Sequence, residues 1–454
     1  MTRWNPPPNY MRNPSLVDVL ATAFLAGNQS QQQVTIRARR TLGKPARWLD
    51  PVIRSYIQSF SGKTRPRHRD AVEFLLADPN FRRTYFNRRN RLDVIADWLP
   101  GPQQMQPVHT AKSWDIPAIE SEGALAEWLQ LTISELEWFA DAKHLGRHSH
   151  SNPKLRHYHY RVLSKQSGNI RLIEAPKPRL KEIQRQILTS ILDKIPPHSA
   201  PHGFVKSRSI RTFVGPHVGQ QIVLRMDLRD FFPSITAARI QTLFRTMGYP
   251  ESVADLLGCI CTTATPRQVW AGIEADPQML QDAKTLHTRS HLPQGAPTSP
   301  SLANQCGYRL DCRLNGLANA VGAKYTRYAD DLAFSVGGDV NYDPHRFAAH
   351  VAAILTEEGF HVNHRKTRIM RQDVRQHLAG LVANQHLNVN RVDFDCLKAV
   401  LTNCVRHGPA NQNREAHPHF LAHLEGRVGF VESINPTKGT RLRAIWVCDK
   451  EMRT

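Results

Sequence analysis

Apolar residues recur at helical spacing through much of the first ~140 residues, in stretches such as Leu16 to Ala26 and Arg91 to Leu99, with Pro- and Gln-rich breaks between them. The region reads as a mainly helical accessory domain. From His157 the period changes to two. Tyr158, Tyr160 and Val162 alternate with other residues, Gln166 to Asn169 has turn chemistry, and Ile170 to Ile173 resumes the extended pattern, which predicts a hairpin. A helix is expected over about Leu180 to Leu192, ended by Pro196-Pro197. Ile222 to Met226 reads as a buried strand that delivers Asp227 at its end. Helices are expected around Ala237 to Met247, Ser252 to Cys261 and Ser299 to Asn319. Two short strands, Ala323 to Arg327 and Leu332 to Val336, enclose Tyr328-Ala-Asp-Asp331 as a second hairpin. A helix over Phe347 to Glu358 and a strand near Phe360 to Val362 follow. Strands and helices mixed in this antiparallel-biased order make an α+β fold.

Composition adds a partner to this picture. The chain has 454 residues, enough for two or three domains, and its 60 Lys and Arg against 39 acidic residues give a net charge of +21 spread along the whole length. Such a surplus predicts a polyanionic partner, although solvated helix faces account equally well for the clusters at Arg37 to Arg40, Arg65 to Arg69 and Arg82 to Arg91. No apolar run approaches the roughly 20 residues that cross a bilayer, and the first residues lack the apolar segment of a signal peptide, so a cytoplasmic protein without a membrane partner is expected. Of seven cysteines only Cys259 and Cys261 lie close together, in a spacing that suits neither zinc nor a disulfide. His148, His150, His157 and His159 read as surface or RNA-facing histidines in preference to a zinc site.

Asp227 at a strand end and Asp330-Asp331 in a tight hairpin turn are the candidate chemistry. Nucleotidyl transfer uses two divalent cations about 3.5–4 Å apart, and these need carboxylates converging from separate strands. An Asp-Asp pair alone usually marks a solvated loop. Here it stands between β-rich flanks, Tyr325-Thr-Arg-Tyr on one side and Leu332-Ala-Phe-Ser335 on the other, which is an odd setting for a merely structural turn.

These residues carry a resemblance. Tyr328-Ala-Asp-Asp331 resembles the catalytic Tyr-x-Asp-Asp box of reverse transcriptases, and Asp227-Leu-Arg-Asp-Phe-Phe-Pro-Ser-Ile235 their first palm motif. Between them, Leu292-Pro-Gln-Gly-Ala-Pro-Thr-Ser-Pro300 is similar to the Gln-Gly-x-x-x-Ser-Pro motif, and Gly359 to Thr367 to the motif after the box. Ser164 to Arg171 with Ala175-Pro-Lys177 is similar to the fingers hairpin, His202-Gly-Phe204 to the element before the palm, and Leu424 to Pro436 to the thumb of bacterial enzymes. The resemblance implies a right-hand polymerase fold, with a helical extension over 1–140, fingers and palm over 141–385 and a short thumb over 386–454. It implies RNA-directed DNA synthesis with two Mg2+ ions held by Asp227, Asp330, Asp331 and the carbonyl of Leu228. Lys165 and Arg171 would grip the incoming triphosphate, Gln294 and Gly295 would shape the nucleotide pocket, and Phe232 would exclude a ribose 2′ hydroxyl. Tyr328 would pack against the primer end, and Lys366 would either protonate the leaving pyrophosphate or serve as an ordinary phosphate-contacting lysine. Read without the motifs, Lys165 and Arg171 are hairpin charges, Pro293-Gln-Gly295 is a turn, and one of Phe231 and Phe232 is core.

Among relatives, the Gln-Gly-Ala-Pro-Thr-Ser-Pro form and the short thumb resemble the retron-type bacterial enzymes, which copy a dedicated structured noncoding RNA into cDNA and often serve in phage defence, with an effector protein as a further partner. Two elements depart from that pattern: Phe213-Val-Gly-Pro-His217 keeps only the histidine of Asn-Ala-x-x-His, and Leu378-Ala-Gly380 stands for Val-Thr-Gly. The alternatives are another bacterial defence or group II intron-derived reverse transcriptase, and a non-catalytic RNA-binding scaffold on a polymerase fold.

Overall fold

A computed structural model describes residues 16–27, 29–43, 45–61, 66–85, 104–142, 155–164, 170–338 and 343–451. Contacts divide the chain into two compact units, Met1–Pro196 with Phe232–Leu302, and Pro197–Phe231 with Ala303–Thr454.

In the first unit, helices Leu16–Leu25, Gln31–Leu42, Leu49–Phe60, His68–Ala77 and Pro79–Tyr85 share one apolar core around Leu20, Phe24, Ile53, Tyr56, Leu75 and Phe81. The expected helix at Arg91 to Leu99 lies outside the described residues. Arg37, in the first basic cluster, is half-buried and donates from Nε to the Ala23 carbonyl at 2.9 Å, while Arg39 pairs with Asp50 at 3.0 Å. Part of that cluster therefore holds helices to each other. The N-terminal region is also bonded to the later helices of its own unit: Arg67 reaches Gln241 at 3.0 Å, the His68 N–H donates to Glu251 at 2.6 Å, and the Tyr249 hydroxyl donates to the Pro117 carbonyl at 3.0 Å. The predicted hairpin is present as β1 (Tyr158–Ser164) and β2 (Ile170–Pro176), with Ser164 opposite Ile170. Helices Pro178–Ser190, Ala237–Thr246 and Glu251–Ile260 follow expectation, and a further one, Pro277–Thr288, was not legible in the pattern.

The second unit is built on an antiparallel sheet. β3 (Ile222–Arg229) lies between β5 (Asp331–Val336) on one side and β6 (His361–Val362) and β7 (Arg368–Arg371) on the other, with β4 (Lys324–Tyr328) beyond β5. Helices Arg391–His407, Phe420–Ile434 and Pro436–Glu451 close one core with this sheet: Val223 and Ala333 pack in the same cluster as Leu401, Leu424, Leu442 and Trp446. Three details differ from the sequence reading. β3 runs past Asp227 to Arg229. Phe231 and Phe232 belong to a short helical turn, Phe231–Ser234, entered through Asp230 at φ +51°, and not to an extended segment. The helix expected over Ser299 to Asn319 is two helices, Ser299–Cys306 and Tyr308–Ala320.

Candidate active site

Apolar residues Val223, Leu224, Met226 and Leu228 bury β3 on both sides, which carries Asp227 into a nearly water-free position, 3% exposed. Its antiparallel partner across the sheet is Asp331. Tyr328 pairs with Asp331 at the end of β4 and β5, leaving Ala329 and Asp330 as a two-residue turn, with Ala329 at φ +55°. The Leu228 N–H donates to the Asp330 carbonyl at 2.8 Å and clips the turn to β3. Three carboxylates from two points of the chain, β3 and the β4–β5 turn, thus come to one edge of the sheet. Burial raises the Asp330 carboxyl above the usual carboxylate range, and the charges of Asp227 and Asp331 raise it further against the pull of Lys366.

Two of these carboxylates are countered by the protein's own groups. Lys366 places Nζ 2.8 Å from Asp227 Oδ2, and Asn363 donates to Asp227 Oδ1 at 2.9 Å and, from its backbone N–H, to the Asp227 carbonyl at 2.8 Å. Arg225, two residues before Asp227 and so on the same face of β3, grips Asp331 with Nε at 3.0 Å and Nη2 at 2.8 and 3.1 Å. Beneath the turn lies Arg327, fully buried, paired with Asp311 at 2.8 and 2.6 Å. It also donates to Asn304 at 3.1 Å and to the Ala329 carbonyl at 3.2 Å. Asn304 in turn donates to the Gly203 carbonyl at 2.9 Å, and a Cβ on Gly203 would stand 2.9 Å from the Ala329 nitrogen. The His202-Gly-Phe204 segment is therefore seated directly on the Tyr-Ala-Asp-Asp turn. Tyr328 is half-buried, with its ring 5.7 Å from Phe213 and 6.4 Å from Phe204.

The other predicted site residues belong to other surroundings. Lys165 lies outside the described residues. Arg171 is exposed on β2. Gln294 accepts the Glu174 N–H at 2.9 Å, and Gly295, at φ +137°, turns so closely over β2 that a Cβ would meet the Glu174 carbonyl at 2.9 Å. Phe231 is the core aromatic of its pair, against Phe360 and under Arg327, and Phe232 is half-buried.

Arg225, Asn363 and the Asp311–Arg327 pair were not singled out by sequence. A signal existed for two of them: Arg225 shares the face of Asp227 by strand alternation, and Arg327 is a charge inside an otherwise β-forming run. Among the described residues no three metal-ligating side chains stand ready as a metal cluster. The donor set nonetheless suits a hard divalent cation, being all oxygen, buried and self-repelling around Asp330.

A reverse transcriptase (RNA-dependent DNA polymerase) family model matches residues 163–394. The retron Mx65 reverse transcriptase of Myxococcus xanthus is 37% identical over 361 residues, covering 78% of this chain and 76% of that protein. The retron Mx162 reverse transcriptase of the same organism is 34% identical over 361 residues, 76% of this chain and 70% of its own length. The retron Ec86 reverse transcriptase of Escherichia coli is 30% identical over 274 residues, 60% of this chain and 74% of that protein. With the carboxylates of β3 and the β4–β5 turn gathered as above, the chain belongs to the bacterial retron-type reverse transcriptases and is an RNA-directed DNA polymerase.

Proposed function

We propose that this enzyme copies a dedicated structured noncoding RNA into cDNA by two-metal nucleotidyl transfer, in the setting of phage defence that its family implies. The observation that supports the mechanism is the gathering of Asp227, Asp330 and Asp331, with Asp330 held reluctant to ionise by burial and then by its acidic neighbours. Asp227, Asp330, Asp331 and the Leu228 carbonyl would hold two Mg2+ ions. When bound, the ions supply an activated 3′ hydroxyl and a steadied triphosphate. The protein's own groups do the rest. Arg225 fixes the carboxylate of Asp331, and Lys366 and Asn363 fix that of Asp227. Lys366, half-exposed, is the proton donor for the departing pyrophosphate. Arg171, with Lys165, grips the triphosphate; Gln294 and Gly295 shape the nucleotide pocket. Phe232 excludes the ribose 2′ hydroxyl, and Tyr328 packs on the primer end. Residues 1–140 act as an accessory domain, 141–385 as fingers and palm and 386–454 as thumb. An effector protein is a further partner.

Purified protein with Mg2+, an RNA template with annealed primer and labelled dNTPs should extend the primer. Asp330→Asn should lower incorporation on the order of 10³-fold or more while RNA binding persists. The same variant should be more thermostable than wild type without metal at neutral pH. A folded-state carboxyl raised above its unfolded value makes the folded protein hold the extra proton, so stability falls as pH rises through that window, and Asn removes the effect. Incorporation equal to wild type would refute the assignment. Sequencing the nucleic acid that co-purifies from the native host identifies the template, and a random mixture would count against a dedicated one.

A further inference from the structure

We propose that Glu174 and His291 form a buried carboxylate–imidazolium pair that positions the Gln294–Gly295 turn on β2 and thereby sets the affinity for the incoming nucleotide. The inference rests on the pocket assignment just made. Both side chains are 1% exposed, deep in the first unit, and the Nε2 of His291 is 2.8 Å from Glu174 Oε2. The other ring nitrogen, Nδ1, is 2.8 Å from the Arg289 carbonyl. A carboxylate and a carbonyl can only accept, so both nitrogens must carry protons and the ring is a cation. Burial alone pushes such a ring towards neutrality, but the Glu174 charge and the two hydrogen bonds outweigh it, and the net direction is upward. Glu174 is engaged on both oxygens, the second accepting from Thr265 Oγ1 at 2.8 Å.

The pair joins three segments. β2 contributes Glu174 and, three residues earlier, Arg171. The strand-like segment at Thr263 exchanges both backbone hydrogen bonds with His291, at 3.0 and 2.9 Å. His291 opens the segment that becomes the Gln294–Gly295 turn, which returns to β2 through the Glu174 N–H and packs Gly295 against the Glu174 carbonyl. A buried ion pair is a poor source of stability, because desolvation offsets its attraction. Its use here is geometric: it fixes how far the turn stands from the strand that bears Arg171.

Steady-state incorporation with the full chain tests this, with KM for dNTP and for primer–template measured separately, well below the melting temperature of each variant. Glu174→Ala and His291→Ala should each raise KM for dNTP about tenfold, with kcat and KM for primer–template within about twofold. Glu174→Gln should stay within about twofold of wild type, since its amide accepts from Thr265 and donates to a neutral ring. Should Glu174→Ala fail to fold, Thr265→Val removes one bond only and should raise KM for dNTP about threefold. Unchanged KM for dNTP in folded variants, a loss confined to kcat, or a Glu174→Gln enzyme as impaired as Glu174→Ala overturns the proposal. If wild type is active and Gln294→Ala raises KM for dNTP while the pair variants do not, the pocket assignment stands and this inference alone fails.

Discussion

Arg225 and Lys366 give Asp331 and Asp227 a cation each, while burial and then the charges of Asp227 and Asp331 raise the Asp330 carboxyl against a backbone hydrogen bond and the weaker pull of Lys366. The aspartates were legible in sequence because strand alternation and turn chemistry are local signals. Their counter-ions were not, since Lys366 lies 139 residues from Asp227 and Arg225 lies 106 from Asp331, and only the sheet register brings them together. His217 is a similar case. It was noted as the survivor of a family element, but its work is visible only in the fold: its ring bridges Ser335 at 2.6 Å and Thr326 at 2.7 Å, tying β4 to β5. Burial, with Lys324 and His202 nearby, pushes this imidazole down to about 3. The unfolded chain takes up a proton near the ordinary value of about 6.5, so His217 lends stability above that pH and loses it as pH falls towards 3, at up to about 1.4 kcal/mol per pH unit. Urea unfolding from pH 7 to 4 should therefore show the gap between wild type and His217→Gln narrowing with acid; a constant gap would mean the ring is not held neutral.

At the scale of elements, departures from expectation occur where one segment meets another. The periodic pattern over Ser299 to Asn319 is continuous, yet the helix breaks at Gly307, where a Cβ would stand 3.2 Å from Arg327 Nη2 and 3.3 Å from the Ala303 carbonyl. The run through Phe231 and Phe232 looks extended, but Asp230 turns the backbone and starts a helical turn that sends one ring to the core. Neither event has a signature within its own window of sequence. Gly295 is a different case: Pro293-Gln-Gly295 reads as a turn in sequence, and what that window does not show is the strand it turns against, at the Glu174 carbonyl. Gly295→Ala should cost about 1–3 kcal/mol, the usual scale for forced left-handed backbone, and should lower incorporation more than stability. Thermal melts beside primer extension decide it; wild-type activity in the variant would show that the turn has room.

For the whole molecule, the broad facts were readable early: an α+β chain, basic throughout, with the palm-like motifs in order. What sequence left open in residues 1–140 is their attachment, which includes polar contacts such as Arg67 to Gln241 and His68 to Glu251 and the backbone bond from the Gln106 N–H to the Gly248 carbonyl. The charge of +21 predicts RNA affinity that falls steeply with salt. Between 50 and 200 mM salt a loss of about 10³-fold is expected, and filter binding across that range measures it. A flat response would mean that phosphates contribute little.

One packing arrangement also bears on how the polypeptide comes into being. Val223 on the strand of Asp227 shares its apolar cluster with Leu442 and Trp446, residues that a ribosome adds long after that strand has emerged. Until they arrive, the cluster behind the sheet lacks part of its cover, so a growing chain holds Asp227, Asp330 and Asp331 before the packing behind them is complete. A chain interrupted before Leu442 should therefore expose part of this apolar cluster to chaperones and proteases, which limited proteolysis of a truncated chain beside the full one would show.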